Sequence, residues 1–141
     1  MYKDYSFVFD IDGTICPIKK KDERYEDLVP YPDILEKLRF YKENGARIIL
    51  YTSRNMNTYQ GNLGLINKYT AVVLTEWLKK WDVPYDEIVY GKVWPGHKGF
   101  YVDDRTIRPN EFLQYTPEEL EKICTASICD KVEEENHENK D

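Results

Sequence analysis

The stretch Tyr5-Ser6-Phe7-Val8-Phe9-Asp10-Ile11-Asp12-Gly13-Thr14 joins a dense apolar run to two aspartates and a glycine. Its first five residues are mostly aromatic or β-branched, which is typical of a central strand buried on both faces. Glycine after the second aspartate allows a sharp turn, because it adopts backbone angles that other residues avoid. The stretch therefore predicts a buried strand that ends in two carboxylates.

Three further apolar runs, at residues 47–51, 87–90 and 100–102, also predict strands. Helical patterns separate or follow these runs. Strands that alternate with helices predict an α/β protein whose doubly wound parallel sheet carries helices on both faces, in three layers.

The helices are bounded by recognisable capping residues. Proline in a first turn, glycine after a last turn and a Thr-Pro-Glu-Glu start are all typical helix boundaries. Residues 17–27 are polar and lysine-rich, and we call this expected loop the flap segment; residues 55–67 have no clear assignment. The predicted helices run from Pro32 to the stop at Asn44-Gly45, onward from Thr116, and from Thr70 to Trp81, where Val73, Trp77 and Trp81 are expected on one buried stripe.

Length and charge restrict the function classes. A chain of 141 residues suits one folded domain, predicted at residues 1–128. Residues 130–141 hold six acids and two lysines, so residues 129–141 are predicted to be a disordered tail. The net charge of -6 argues against a nucleic-acid partner.

Neither the membrane nor the secretory pathway is indicated. No apolar run approaches the roughly 20 residues that a membrane span needs. The start of the chain lacks the apolar region of a signal peptide, and the three cysteines have no metal-binding spacing. We therefore expect a cytoplasmic protein with reduced thiols and no membrane partner. Cys16 is expected to be a buried, inert thiol.

Polar side chains follow each predicted strand. In α/β sheets, function gathers at the carboxyl ends of the strands. The residues at these ends are Asp10 and Asp12 after the first strand, Thr52-Ser53-Arg54 after the second, Gly91-Lys92 after the third, and Asp103-Asp104-Arg105 after the fourth.

This combination favours phosphoryl transfer. Four carboxylates in one crevice repel each other unless a dication lies among them, and oxygen ligands of this kind favour Mg²⁺. A lysine and a hydroxyl could bind phosphate oxygens, one carboxylate could attack phosphorus, and a second could move the proton. The strand ends therefore predict a Mg²⁺-dependent site that acts on a phosphate ester.

The same residues resemble the four motifs of the haloacid-dehalogenase-like (HAD) phosphatase superfamily, in the same order. They are Asp10 to Thr14, Thr52, Lys92 and Asp103-Asp104. Longer stretches are similar to the capsule-biosynthesis phosphatase branch: Ser53 to Met56, Thr58 to Asn62, Pro84 to Ile88 and Gly96 to Arg105.

The resemblance implies a role for each motif residue. Asp10 resembles the nucleophile and Asp12 the general acid/base, while Asp10 and the carbonyl of Asp12 would bind Mg²⁺. Asp104 resembles the direct metal ligand and Asp103 its outer neighbour. Thr52, with Ser53 as its rival, and Lys92, with Lys98 as its rival, would bind phosphate. Apart from the resemblance, Arg54 and Arg105 could either contact substrate or pair with the carboxylates, and His97, in a glycine-flanked loop, could face the substrate.

About 37 residues separate Thr14 from Thr52, and about 39 separate Thr52 from Lys92. Both spacings are too short for the cap domain of larger relatives. An uncapped site implies a large substrate or cover by a neighbouring subunit in a homo-oligomer. The capsule-branch resemblance implies a phosphorylated sugar, a polyol or a glycan precursor.

Two other functions use similar residues. A phospho-receiver domain also combines an acidic pair, a hydroxyl and a lysine on a parallel sheet, but its phosphoacceptor aspartate lies elsewhere. A catalytically idle regulatory subunit would keep the fold without turnover. Asp10 and Asp12 could also belong to an ordinary Asp-Gly turn, although the other strand-end residues favour a site.

Overall fold

The computed structural model describes residues 1–128, which belong to two compact units. The first unit is Met1–Gly96, and the second begins at His97. The predicted acidic tail at residues 129–141 lies outside the described residues.

The first unit is built on three parallel strands: β1 (Ser6–Phe9), β2 (Arg47–Thr52) and β3 (Glu87–Tyr90). They are hydrogen-bonded in the order β1-β2-β3. The register pairs Phe9 with Leu50 and Thr52 with Tyr90, so all three strands end at the same edge of the sheet. The prediction of an α/β protein with a parallel sheet is confirmed.

The prediction that β1 is central was wrong. Within the described residues, β2 is the middle strand and β1 has one strand neighbour. Val8 is 60 % exposed, whereas Phe7 and Phe9 share the other face and pack against each other. Successive side chains of a strand point to opposite faces, so an aromatic run can serve a single buried face.

The first predicted helix is confirmed as α1 (Pro32–Glu43). It buries an apolar stripe because residues three and four apart share one helix face. Gly45, at φ 98°, ends the helix as predicted, since this angle is available to glycine at little cost. The buried stripe consists of Ile34, Leu35, Leu38 and Tyr41.

The segment at residues 55–67 contains turns followed by a short helix, α2 (Leu63–Leu65). A single wider turn, Ile66–Thr70, joins it to α3 (Ala71–Lys80). The helix predicted at residues 70–81 is thereby confirmed, although its buried stripe is Leu74, Trp77 and Leu78 and not Val73, Trp77 and Trp81.

The flap segment is a loop that leads into one tight helical turn, Tyr25–Asp27. Two hydrogen bonds hold the chain on either side of Val29. Trp77 Nε1 donates to the Leu28 carbonyl at 2.7 Å, and the Tyr31 amide donates to Ile15 at 2.8 Å. Because the first of these bonds is buried, the end of the flap segment is fixed to α3.

The second unit contains α4 (Pro109–Gln114) and α5 (Pro117–Ala126). The predicted start of α5 is confirmed by reciprocal hydrogen bonds between Thr116 and Glu119. The strand predicted at residues 100–102 was wrong: this run is irregular, and Val102 is 97 % exposed. Three apolar residues followed by two acids are shorter than most strands, so they can form few hydrogen bonds to a neighbouring strand.

None of the helices between residues 1 and 128 combines the length and apolarity needed to cross a bilayer.

Candidate active site

The loop after β1 holds the two aspartates in a tight, hydrogen-bonded turn. The amides of Thr14, Ile15 and Cys16 all donate to the Ile11 carbonyl, and the Gly13 amide donates to the Cys16 carbonyl at 2.7 Å. Gly13 has φ 87°, which confirms the predicted sharp turn. This hydrogen-bonded loop fixes the backbone of Asp10 and Asp12.

The Asp10 carboxylate has one hydroxyl and one cation beside it. Thr14 Oγ1 donates to Asp10 Oδ2 at 3.2 Å, and Lys92 Nζ lies 3.6 Å from Asp10 Oδ1. The Asp10 side chain is 31 % exposed, so a ligand can reach it. Burial raises the pKa of Asp10, while Lys92 and then the Thr14 hydrogen bond act in the opposite direction.

Lys92 is the lysine that the structure brings to Asp10. Its amide donates to the Thr52 carbonyl at 3.1 Å, which extends the pairing of β2 and β3 by one residue. Lys98, its rival in the sequence, belongs to the second unit. The contact with Asp10 therefore favours Lys92 as the lysine of this site.

The Asp12 carboxylate is held by Arg54 through both oxygens. Arg54 Nε donates to Oδ2 at 3.0 Å, and Nη2 donates to Oδ1 at 2.9 Å. Cys16 Sγ makes a weaker contact with Oδ1 at 3.7 Å. The Arg54 side chain is 1 % exposed. Two roles were predicted for Arg54, contact with substrate or pairing with the carboxylates, and the structure shows the pairing, with Asp12.

The Arg54 guanidinium lies over the Tyr25 ring, with Cζ 4.2 Å from the ring centre. Burial raises the pKa of the Tyr25 phenol, so it stays neutral at ordinary pH. No motif in the flap segment signals this contact. Cys16 was predicted to be a buried, inert thiol; it is buried, and that burial raises its pKa to about 12.

Thr52 and Ser53 lie at the end of β2 in different environments. Thr52 is almost fully buried, and its Oγ1 accepts a hydrogen bond from the Arg54 amide at 3.0 Å. Ser53 follows the strand and is half-buried. The register thus gives Thr52 a structural bond and leaves Ser53 more accessible; phosphate binding by either hydroxyl stays a prediction.

The remaining predicted site residues belong to the second unit, where they are exposed. The Arg105 amide donates to Asp103 Oδ1 at 3.2 Å. The hydrogen bond with Asp104, followed by backbone hydrogen bonds, holds the pKa of Asp103 below its usual range. The roles predicted for His97, Asp103, Asp104 and Arg105 stay predictions.

The first unit supplies oxygen atoms suited to part of a Mg²⁺ site. Within residues 1–128, no three His, Cys, Asp or Glu side chains group into a metal-binding cluster. The hydrogen bonds of the loop after β1 end on the Ile11 and Cys16 carbonyls, so the Asp12 carbonyl is not among their acceptors. This carbonyl and the Asp10 carboxylate fit Mg²⁺, which binds through one or two carboxylates, water and substrate phosphate.

Gly91 allows the turn that presents Lys92, and it yields a prediction about stability. Gly91 has φ 85°, and a Cβ there would lie 2.7 Å from Leu63 Cδ2. Gly91→Ala is expected to lower the free energy of unfolding by about 1–3 kcal/mol, measured by urea denaturation. Gly96→Ala is the matched control, because Gly96 has the same φ with open space around it. An equal or larger loss in the control would contradict a role for Leu63.

The fold and this geometry define an α/β protein whose parallel sheet presents Asp10, Asp12, Arg54 and Lys92 at one edge. The chain is 44 % identical to a Vibrio cholerae protein, an MCSG target of known crystal structure, with a TM-score of 0.81. The match covers 88 % of this chain and 99 % of that one, so the chain belongs to the same family as the Vibrio cholerae protein. No family model and no curated protein matches the chain.

Proposed function

We propose that the protein is a Mg²⁺-dependent phosphomonoester hydrolase in which Asp10 attacks phosphorus. The observation that carries this proposal is the environment of Asp10. Its carboxylate is partly exposed at the carboxyl end of β1, with Lys92 Nζ 3.6 Å from one oxygen and the Thr14 hydroxyl 3.2 Å from the other. A fixed carboxylate beside a cation is suited to nucleophilic attack on an anionic ester.

The proposed reaction has two steps. An Asp10 oxygen forms a bond to phosphorus while the ester P–O bond breaks, and the leaving oxygen takes a proton from Asp12. Water then attacks the phosphorus, its proton passes to Asp12, and the bond between Asp10 and phosphorus breaks to release phosphate. Asp12 is suited to this part because it follows Asp10 by two residues in the same rigid loop.

Lys92 would neutralise charge that develops on the transferred phosphoryl oxygens. Mg²⁺ bound by the Asp10 carboxylate and the Asp12 carbonyl would supply further positive charge beside those oxygens. Asp104, with Asp103 behind it, is the proposed source of another metal contact, and Ser53 or Thr52 of another phosphate contact. His97 and Arg105 are proposed to contact the rest of the substrate.

The family proposed for the chain is the HAD-like phosphatases without a cap domain, with a three-layer doubly wound sheet. Two observations in the first unit support the capless form. The segment between β1 and β2 holds only the flap segment and α1, and the segment between β2 and β3 holds only α2, α3 and their turns. The proposed substrate is a phosphorylated sugar, a polyol or a glycan precursor of a surface polysaccharide, processed in the cytoplasm.

A substrate panel tests this function directly. The full chain is incubated with sugar phosphates, polyol phosphates and para-nitrophenyl phosphate, and released phosphate is measured with Mg²⁺, with EDTA, and after Mg²⁺ is added back. We expect release with Mg²⁺, a fall to the rate of buffer alone with EDTA, and recovery on readdition. Metal-independent release would contradict the mechanism, and bound Mg²⁺ without release would favour an idle subunit.

A phospho-receiver domain is the second candidate function. The strand β2 ends in Thr52 and not in an aspartate that could accept phosphate. A stable acyl-phosphate on an aspartate other than Asp10, without turnover, would reverse this order.

A further inference from the structure

We infer that Tyr25 is a positioning residue that orients Asp12 by holding the Arg54 guanidinium in place. The inference rests on the proposed function, in which Asp12 moves the proton. It concerns three side chains that are far apart in the sequence: Tyr25 in the flap segment, Asp12 after β1 and Arg54 after β2.

The first link is the ion pair between Arg54 and Asp12. Both carboxylate oxygens accept from one guanidinium at 2.9–3.0 Å, which fixes the plane of the carboxylate as well as its position. Burying an arginine costs solvation free energy. This cost is offset only if its ion pair has good hydrogen-bond geometry and its other N–H donors also have partners. Arg54 Nη1 is buried and has no hydrogen-bond partner within residues 1–128, so hydrogen bonds alone leave the guanidinium incompletely compensated.

The second link is the Tyr25 ring. Its centre lies 4.2 Å from Arg54 Cζ, within the range in which an aromatic face attracts a guanidinium. The ring thus helps to offset the cost of burying the Arg54 charge, and it also occupies the space over that face of the guanidinium. Asp12 holds one edge of the guanidinium and Tyr25 covers it, so Arg54 is confined from two directions.

The third link is the anchorage of Tyr25 itself. Tyr25 begins the helical turn Tyr25–Asp27, and the Leu28 carbonyl just after this turn accepts the buried hydrogen bond from Trp77 Nε1. The ring is therefore carried by backbone that is tied to α3. Tyr25 is therefore suited to hold Arg54 in place, and Arg54 in turn holds the Asp12 carboxylate.

The orientation of Asp12 affects proton transfer to the leaving group. Asp12 must meet the leaving oxygen of the ester, and this matters most when the leaving group is a poor one, such as an alkoxide. A phenolate such as para-nitrophenolate leaves with little help. Loss of the Tyr25 ring should therefore slow an alkyl phosphate more than an aryl phosphate, whereas general damage to the fold would slow both equally.

The kinetic experiment compares Tyr25→Leu, Tyr25→Phe and the unaltered full chain on glycerol phosphate and para-nitrophenyl phosphate. We expect Tyr25→Leu to lower kcat/KM by about tenfold or more for glycerol phosphate and by less than about threefold for the aryl ester. The comparison uses kcat/KM because it reports the step in which the leaving group departs, whereas the later attack of water on the Asp10 phosphate is the same for both esters. Tyr25→Phe keeps the ring and should behave like the unaltered chain.

Tyr69→Leu is the matched control, because Tyr69 also lies beside a cation, Lys68, but stacks on Tyr59 and has no contact with Arg54 in the part of the chain described. It should leave the ratio of the two kcat/KM values unchanged. An equal loss of kcat/KM on both esters in Tyr25→Leu, or a Tyr25→Phe variant that behaves like Tyr25→Leu, would overturn the inference.

A second measurement does not depend on turnover. In protein with isotope-labelled arginine, NMR is used to observe the Arg54 Nε–H, which donates to Asp12 and is shielded from water. Tyr25→Leu should shift this signal and speed its exchange with water, and Tyr69→Leu should do neither. An unaltered chain that hydrolyses no ester would defeat the proposed function, whereas an unchanged Arg54 signal in Tyr25→Leu would defeat this inference.

Discussion

Replacing Asp10 by asparagine is expected to abolish phosphate release while the fold is retained. Asparagine has nearly the same shape and keeps an oxygen for the hydrogen bond from Thr14, but its amide is not a nucleophile. We expect kcat to fall on the order of 10³-fold or more, as for other nucleophiles that are removed. Phosphate release in the presence of Mg²⁺ checks the loss of activity. The circular dichroism spectrum of the same sample checks that the fold is retained.

The same variant separates lost chemistry from lost stability. Burial raises the pKa of Asp10 in the folded state, so its contribution favours folding below the unfolded value of 3.8 and is lost as pH rises through the folded pKa. At neutral pH the ionised Asp10 therefore opposes folding, and Asp10→Asn should unfold at the same or a higher urea concentration than the unaltered chain. An inactive variant that is clearly less stable would leave unfolding as the cause of its inactivity and contradict this account.

The second large effect is expected at Lys92. Lys92→Met should lower kcat/KM by about 10²–10³-fold, the usual cost of removing one fixed group that stabilises charge in a transition state. Lys92 also opposes the rise in the pKa of Asp10, so its removal should raise that pKa further. The nucleophile must be ionised, and the acid limb of the pH–rate profile should therefore move to higher pH.

Lys98→Met is the matched control for this prediction. Lys98 was the alternative motif lysine in the sequence, but the structure gives the contact with Asp10 to Lys92. The control should keep its acid limb in place and most of its activity. A greater loss in Lys98→Met than in Lys92→Met would show that the wrong lysine has been assigned.

The fold could be predicted from the sequence where local signals were complete. The strands β2 and β3 were predicted from their apolar runs, and α1 and α5 from proline starts together with a stop or a capping box. The position of β1 within the sheet could not be predicted, because the density of apolar residues does not reveal how many neighbours a strand has. The irregular run at residues 100–102 has the same cause: its composition suits a strand, and pairing is not local.

The site residues also divide into those that a local sequence signal predicts and those that depend on non-local contacts. Asp10, Asp12 and Lys92 could be predicted because they lie just after the ends of β1 and β3, and parallel strands end at a common edge. Pairing with a carboxylate was one of the two roles predicted for Arg54, but its choice of Asp12 depends on how distant parts of the chain fold together. The contact with Tyr25 joins residues far apart in the chain, so no local pattern signals it. The burial of Thr52 depends on the register of β2, which shows only when the neighbouring strands are in place.

The most direct test of the account is to trap the covalent intermediate. The full chain is mixed with Mg²⁺ and radiolabelled para-nitrophenyl phosphate, quenched in acid during turnover, and treated with borohydride, which reduces an aspartyl phosphate to homoserine. Mass spectrometry of the peptides then locates the change. We predict labelled protein that loses its label in a chase with unlabelled substrate, and homoserine at position 10. Modification at any other residue, or steady turnover without covalent label, would contradict attack by Asp10.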